Sequence, residues 1–427
     1  MGRKMKRPLT RRTFLKGVAA GAAGYTVYQF PMRAPRAAQP IVIGHQGDLT
    51  GVSAIFGFWN DRSAKAAVKK INSEGGVAGR KLKLVTGDTA SDPKTGARAM
   101  RRMVLREGAA FILGTIQTGI TGVSGALAKD LNVVYFPSDD VPVDPKSPEA
   151  NRYVFRLGHN TRIKAHVSYR WAMERLGKKW SFVGFESGWG RGHVGDYKPR
   201  LQKAGGEVLG EFYVPIGTTD FVPALGKVNR DSEVLYHHAW GPAVPRLIGQ
   251  AAELGLLKKS KLFASIGAVE GMNPKDLGPA AQGSHYVSEL PRELGQIPGS
   301  LRAYNGAIRK ACGVDELGMD VGGKWATTGE HYWVPWTNLH VIKAGVEASG
   351  WRNRDDNPKL IETLEGMEFK AGPGFPAGDM VIRPEDHRAF RDYYIEQVKG
   401  DHYVVVKVFK KEEGLYPPPT DLRKQGF

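Results

Sequence analysis

The sequence predicts an α/β protein built from two doubly wound parallel sheets. From residue 41 onward, short β-rich runs alternate with longer helical patterns, an order typical of parallel sheets covered by helices. The same alternation restarts after residue 160, which indicates a second lobe of similar size. Cys312 is the only cysteine, so the chain has no internal disulfide and depends on a buried core, in which this thiol is expected to lie.

The first half of the chain carries two clear helix signals. Ala64, Ala67 and Ile71 recur at helical spacing before a stop at Gly75-Gly76. A capping side chain and a proline at Ser91-Asp92-Pro93 are typical of a helix start. Strands are expected at 41–44, 81–85, 111–113 and 133–136, and helices at 60–74, 93–107 and 122–130.

The second half repeats the pattern. Strands are expected at 180–185, 209–214, 234–238 and 261–265, and helices at 163–176, 197–204 and 245–254. Ligands of parallel sheets bind beyond the carboxyl ends of the strands, where loops lead into helices. We therefore expect the functional residues in the loops at 47–58, 115–121, 138–140, 186–192, 239–242 and 266–270.

The N-terminus has the layout of an export signal. Arg11 and Arg12 are followed by Phe-Leu-Lys, then by a Gly/Ala-rich apolar run at 18–30 and small residues before position 39. The arginine pair predicts a twin-arginine (Tat) signal over residues 1–38, the Tat export machinery as a partner, and a mature protein in the periplasm. The apolar run is too short and too rich in glycine for a membrane span. A basic surface helix with a chance arginine pair is the alternative.

Charge and motifs argue against several other functions. The formal net charge is +18, but residues 1–38 contain nine Lys/Arg and no acid, so +9 remains on the rest, spread along the chain. This distribution is typical of a solvated surface and does not favour nucleic-acid binding. His237 and His238 are neighbours on a predicted strand and point to opposite faces, which argues against a shared metal. No Gly-x-Ser-x-Gly elbow supports nucleophilic catalysis.

An ordered set of motifs resembles one protein family. The motifs are Ile71-Asn72-x-x-Gly75-Gly76-Val77-x-Gly79-Arg80-Lys81-Leu82, Asp88-x-x-Ser91-Asp92-Pro93, Ala251-Ala252-x-Leu254-Gly255-Leu256 and Val381-Ile382-Arg383-Pro384-Glu385-Asp386-His387. The set resembles the type I periplasmic binding proteins, in particular the leucine/isoleucine/valine-binding group of ABC-transporter receptors.

The resemblance implies an architecture and a function. It implies a lobe I of residues 39–156 plus 289–387 and a lobe II of 157–288 plus 388–427, joined by three crossings. Such a receptor closes over an amino acid or amide-like molecule and delivers it to a membrane permease, by binding rather than catalysis and with no cofactor or metal. A receptor for an aromatic carboxylate and a periplasmic ligand sensor for a signalling partner are the alternatives.

The resemblance also implies ligand contacts at matching positions. Thr118 takes the key hydroxyl position at a helix start, where it could instead only cap the helix. Phe56, Trp189 and Trp240 take the places of aromatic walls, with the core as the alternative. Asp140 takes the place of a threonine, either as a partner for a cation or amide N–H or as a turn cap. Weaker candidates are Trp59, Thr115, Ser138, His238 and Gly267, the last of which replaces the acid that amino-acid binders use for the ammonium.

Overall fold

The structure is a computed structural model that describes residues 39–140, 146–324 and 331–427. Arg11, Arg12 and the whole predicted signal at 1–38 lie outside the described residues. Within the described ranges, no helix is long and apolar enough to cross a membrane.

A parallel sheet of four strands forms the centre of the first half. Its order is β2-β1-β3-β4. It is flanked by three helices, the first of which begins earlier than predicted because residues 54–59 continue its apolar face into the core. The strands are β1 (Ile41–Gly47), β2 (Leu82–Asp88), β3 (Phe111–Gly114) and β4 (Val134–Phe136), and the helices are α1 (Ala54–Ser73), α2 (Pro93–Leu105) and α3 (Thr118–Asp130).

A sheet of seven strands forms the centre of the second half. Its order is β16 (His402–Phe409), β15 (Tyr393–Lys399), β11, β10, β9, β7 and β8. The five strands from β7 to β11 run parallel; β7 to β10 were predicted, whereas β11 was not. The elements are β5 (Asp139–Asp140), β6 (His159–Asn160), α4 (Thr161–Arg175), β7 (Lys179–Phe185), α5 (Gly188–Lys203), β8 (Glu207–Val214), α6 (Val222–Leu225), β9 (Val234–His238), α7 (Ala243–Glu253), β10 (Lys261–Ser265) and β11 (His285–Ser288).

The C-terminal segment adds a hairpin that the sequence analysis did not predict. Strands β15 and β16 pair with each other and β15 pairs with β11, all antiparallel. Gly400, at φ +58°, makes the turn between them. The preceding elements are α8 (Gly299–Cys312), α9 (Val334–Ser349), α10 (Asn357–Leu364), β12 (Glu368–Phe369), β13 (Met380–Ile382) and β14 (Ala389–Phe390), followed by β15 (Tyr393–Lys399) and β16 (His402–Phe409).

Each large sheet has its own core. The first sheet shares one hydrophobic cluster with α8, α9 and α10, and Cys312 is buried in it, where burial raises the pKa of the thiol to about 12. The second sheet has clusters on both of its faces. We call the parts built on the first and second sheets lobe I and lobe II; the exact bounds given above stay a prediction.

Three chain segments meet between the lobes. Glu289, fully buried after β11, accepts the N–H of Asn160 at 3.2 Å and the hydroxyl of Tyr393 at 3.3 Å. The backbone of Arg156 forms a parallel β-bridge with the backbone of Arg388 nearby. The chain therefore passes between the lobes three times.

Candidate functional site

A cavity of about 160 Å³ lies between loops at the carboxyl ends of the strands of both lobes. The described residues that line it are Ser53, Phe56, Ile116, Gln117, Thr118, Gly119, Asp139, His159, Ser187, Gly188, Trp189, Ile216, Trp240, Gly267 and His331.

The buried carboxylate of Asp48 fixes the lobe I wall. Asp48, just beyond β1, accepts the hydroxyls of Thr89 and Thr115 and, at 2.8 Å, the backbone N–H of Ile116. These bonds hold the loop that leads into α3, so that Thr118 and the start of the helix face the cavity.

The start of α3 is suited to an anionic group. Gln117, at the N-cap, makes no side-chain bond to the first turn, and its amide instead donates to Ser53 Oγ at 2.5 Å. The helix therefore offers backbone N–H donors and the positive end of its dipole at the cavity wall.

An aromatic corner forms the lobe II wall. The rings of Trp189 and Trp240 are both half-buried and meet edge to face, with centroids 5.7 Å apart at 88°. Ser187 caps α5 by accepting the N–H of Gly190 at 3.0 Å. Because this cap starts α5 at Gly188, the helix begins nine residues earlier than predicted and carries Trp189 in its first turn.

The two helix starts touch across the cleft. A Cβ placed on Gly188 would lie 2.7 Å from Thr118 Cγ2, closer than van der Waals contact allows. A glycine at this position therefore lets lobe II close onto lobe I.

A buried polar cluster forms the floor of the cavity. His159 Nε2 accepts the indole N–H of Trp189 at 3.2 Å and lies 3.5 Å from Asp139 Oδ1. Its Nδ1 lies 3.9 Å from Glu289 Oε1, in the segment where the chain crosses between the lobes. Behind it, the ammonium of the buried Lys164 donates to Ser265 Oγ at 2.8 Å. Asp139, His159 and Glu289 therefore form a row of polar side chains that runs from the cavity wall to the segment where the chain crosses between the lobes.

The structure brings most of the predicted site residues to one place. Phe56, Thr118, Trp189, Trp240 and Gly267 all line the cavity, although their contacts with a ligand stay a prediction.

Four other predicted residues lie elsewhere. Thr115 lies under the wall, bonded to Asp48. Trp59 lies about one helical turn after Phe56 on the inner face of α1. The lobe I core covers this face, so Trp59 is fully buried. His238 is buried on β9, an interior strand of the sheet, and burial lowers its pKa to about 4. Ser138 is buried and does not line the cavity.

Asp139, the residue next to Asp140, brings a carboxylate to the cavity. The side chain of Asp140 lies outside the described residues, whereas the neighbouring Asp139 lines the wall. The sequence analysis did not select Asp139, His159, Ser187, Gln117 or His331. Asp139, Ser187 and Gln117 fall in the loops that it marked at strand ends, whereas His159 lies in a crossing segment and His331 just before α9, where the sequence carries no local signal.

Comparison with known proteins identifies the family. The profile of a protein family described as periplasmic binding protein matches residues 40–402. The chain belongs to this family. A Leu/Ile/Val-binding protein homolog 3 from Brucella melitensis is 25% identical over 332 residues, 76% of this chain and 83% of that protein. A homolog 1 from the same organism is 24% identical over 277 residues, 64% of this chain and 71% of its own length.

Solved structures of periplasmic binding proteins share the fold. A solute-binding protein of an ABC transporter from Rhodopseudomonas palustris, in complex with 4-hydroxybenzoate, has a TM-score of 0.73 at 18% identity. The superposition covers 87% of this chain and 97% of that one. A leucine-binding protein from Thermotoga maritima has a TM-score of 0.73 at 17% identity and covers 87% and 99%. These likenesses confirm the two-lobed α/β architecture.

Proposed function

We propose that this periplasmic binding protein captures a small amino acid or amide-like molecule and delivers it to the permease of an ABC importer. The observation that supports this most directly is the cavity itself, which is lined from both lobes and has an anion-binding helix start on one wall and a carboxylate on another. A ligand that contacts both lobes stabilises the closed form, since it can shift the equilibrium only by its differential contacts.

The charge of the cavity suits a zwitterion. Among the described lining residues, Asp139 is the one carboxylate, and neither lysine nor arginine is present. A ligand carboxylate would bind at the start of α3, near Thr118, and a ligand ammonium or amide N–H would bind Asp139. Asp140 stays a proposed partner of the same group.

An aromatic carboxylate is the second candidate. The corner of Trp189 and Trp240 on lobe II and the ring of Phe56 on lobe I offer flat apolar surfaces for a ring. The Rhodopseudomonas palustris neighbour is in complex with 4-hydroxybenzoate, which favours including this class in any ligand screen.

The proposed location is the periplasm. The family supports it, and the arginine pair at Arg11 and Arg12 supports export by the Tat machinery with removal of the signal. We propose binding without catalysis, and transport rather than sensing. Loss of uptake on deletion of the gene would distinguish an importer receptor from a sensor, whose loss would change a transcriptional or chemotactic response.

The test compares the two adjacent carboxylates. Binding of amino acids, amides, benzoate and 4-hydroxybenzoate is measured by calorimetry on wild type, Asp139→Asn and Asp140→Asn. Asp231→Asn, a surface carboxylate paired with Lys259, is the matched control. For an amino-acid ligand we expect Asp139→Asn to weaken binding by about 1.5–3 kcal/mol, the value of a hydrogen bond to a charged group.

Each outcome decides between the candidates. If an aromatic carboxylate binds wild type, and binds Asp139→Asn equally well or more tightly, the second candidate is favoured. The reason is that the substitution removes a negative charge, which would repel the carboxylate of the ligand. If amino-acid affinity falls only in Asp140→Asn, then Asp140 holds the ammonium. Absence of binding for every compound would contradict the proposed ligand class.

A further inference from the structure

Beyond the proposed ligand contacts, one buried carboxylate–imidazole pair joins the two lobes at the cleft. Glu270 follows the short 3-10 turn after β10, is fully buried, and lies beside residues of the lobe II core. Its Oε2 pairs with Nδ1 of His331, a residue that lines the cavity.

His331 is anchored in lobe I. Its backbone carbonyl accepts the side-chain amide of Asn60 at 2.8 Å, and its ring lies 5.1 Å from that of Phe56. The next residues along the chain, Tyr332 and Trp333, are part of the lobe I core. The pair therefore has one member in each lobe, and the lobes cannot separate without breaking it.

We propose that Glu270 and His331 form a latch that stabilises the closed form and keeps a measurable share of the free protein closed. The proposal rests on the proposed function, because closure matters only to a receptor that binds a solute. Glu270 does not line the cavity and acts through His331, so it is a positioning residue.

The placement of the pair favours a role in closure over a role in global stability. Glu270 Oε1 is buried with no hydrogen-bond partner in the described part of the chain, so the carboxylate is only half satisfied. A buried polar pair must offset the loss of water around both partners and is weak evidence for global stability. In the open form both groups regain water, and the energy of the pair therefore enters the balance between open and closed forms.

The latch predicts a distinct effect on affinity. A residue that touches the ligand changes the order of affinities among ligands, whereas a latch acts on the closed form and changes all affinities by one factor. We expect Glu270→Gln to weaken every bound ligand about tenfold, within the range of about 5- to 150-fold usual for coupling between sites. The change should lie mainly in the dissociation rate.

The first experiment needs no ligand. Spin labels on cysteines at Val52 and Asp220, exposed positions beside the two cavity walls, report the width of the cleft by pulsed electron paramagnetic resonance. Cys312 is buried and stays unchanged. Glu233→Gln is the matched control, since that carboxylate accepts backbone N–H groups entirely within lobe II.

Wild type and the Glu233→Gln control should show a population with a short distance between the two labels, and Glu270→Gln should largely lose it. Wild type and Glu270→Gln should have similar midpoints of urea unfolding. A free wild-type protein with no short-distance population would overturn the latch. So would a Glu270→Gln variant that keeps the wild-type distances, including one that only loses stability.

The second experiment is a double-mutant cycle on affinity. The probes are L-leucine and 4-hydroxybenzoate, measured on Glu270→Gln, His331→Gln and the double variant. Removing both partners should cost no more than the larger single change, because the pair acts as a unit. Independent, multiplying effects would overturn the latch. If neither probe binds wild type, the proposed ligand class is wrong, while the distance measurement still decides the latch.

Discussion

Replacing the buried Glu396 with glutamine should stabilise the protein at neutral pH. Glu396 lies in β15 and is fully buried, and its Oε2 accepts the backbone N–H of Arg292 at 3.0 Å. Burial raises the pKa of its carboxyl from 4.5 to about 7. The native state therefore resists the ionisation that the unfolded chain undergoes freely.

The sign and size of the effect follow from linkage. Below pH 4.5, Glu396 is protonated in both states and imposes no cost. As the pH rises from 4.5 to 7, the unfolded chain loses this proton first, so the free energy of unfolding falls, and the full cost is reached above pH 7. A pKa difference of this size corresponds to roughly 3 kcal/mol, since each unit is worth about 1.36 kcal/mol. Glutamine keeps the shape of the side chain and removes the charge.

The assay is urea unfolding of residues 39–427 at pH 5 and pH 8, followed by far-UV circular dichroism. We expect Glu396→Gln to raise the free energy of unfolding by up to roughly 3 kcal/mol at pH 8 and by much less at pH 5. Glu253→Gln, at an exposed position on α7, controls for the substitution itself. Equal stability of Glu396→Gln and wild type at pH 8, or a gain that does not shrink toward pH 5, would refute the reasoning.

Three further predictions concern export and the cavity. Changing Arg11 and Arg12 to lysine should leave unprocessed precursor in the cytoplasm, and export at the normal rate on immunoblots of cell fractions would exclude the Tat route. Changing Trp189 or Trp240 to alanine should weaken ligand binding in calorimetry and leave the melting temperature of the free protein nearly unchanged. The intrinsic fluorescence of wild type should shift when the ligand closes the lobes. A variant that loses mainly stability would place that ring in the core. Asp48→Asn should weaken ligand binding by about 1.5–3 kcal/mol, because the loop before α3 loses its charged acceptor, and unchanged affinity would show that the loop holds its shape without it.

The alternation of strands and helices was predictable because it depends on local patterns. The parallel order of β1 to β4 and of β7 to β10 follows from that alternation. The hairpin of β15 and β16 was missed, although Gly400-Asp401 between two β-rich runs is a turn signal. An antiparallel addition to a parallel sheet is set by contacts with β11, which no local pattern reveals.

The site was predictable at strand ends and not elsewhere. Loops after strands supplied Phe56, Thr118 and Trp240 to the cavity, as the rule for parallel sheets requires. His159 and His331 join them from segments distant in sequence, and only the folded chain brings those segments together. The same limit explains His238. A strand that is covered on both faces buries His237 and His238 alike, so the alternation of side chains along the strand does not predict which of them faces the cleft.

The choice between Asp139 and Asp140 shows where local reasoning stops. Residue type alone cannot distinguish two adjacent aspartates. The pairing of β5 with β6 puts Asp139 opposite His159, and through His159 beside Trp189 of lobe II. Asp139 is thus held at the cavity wall by a contact that exists only once both lobes are in place.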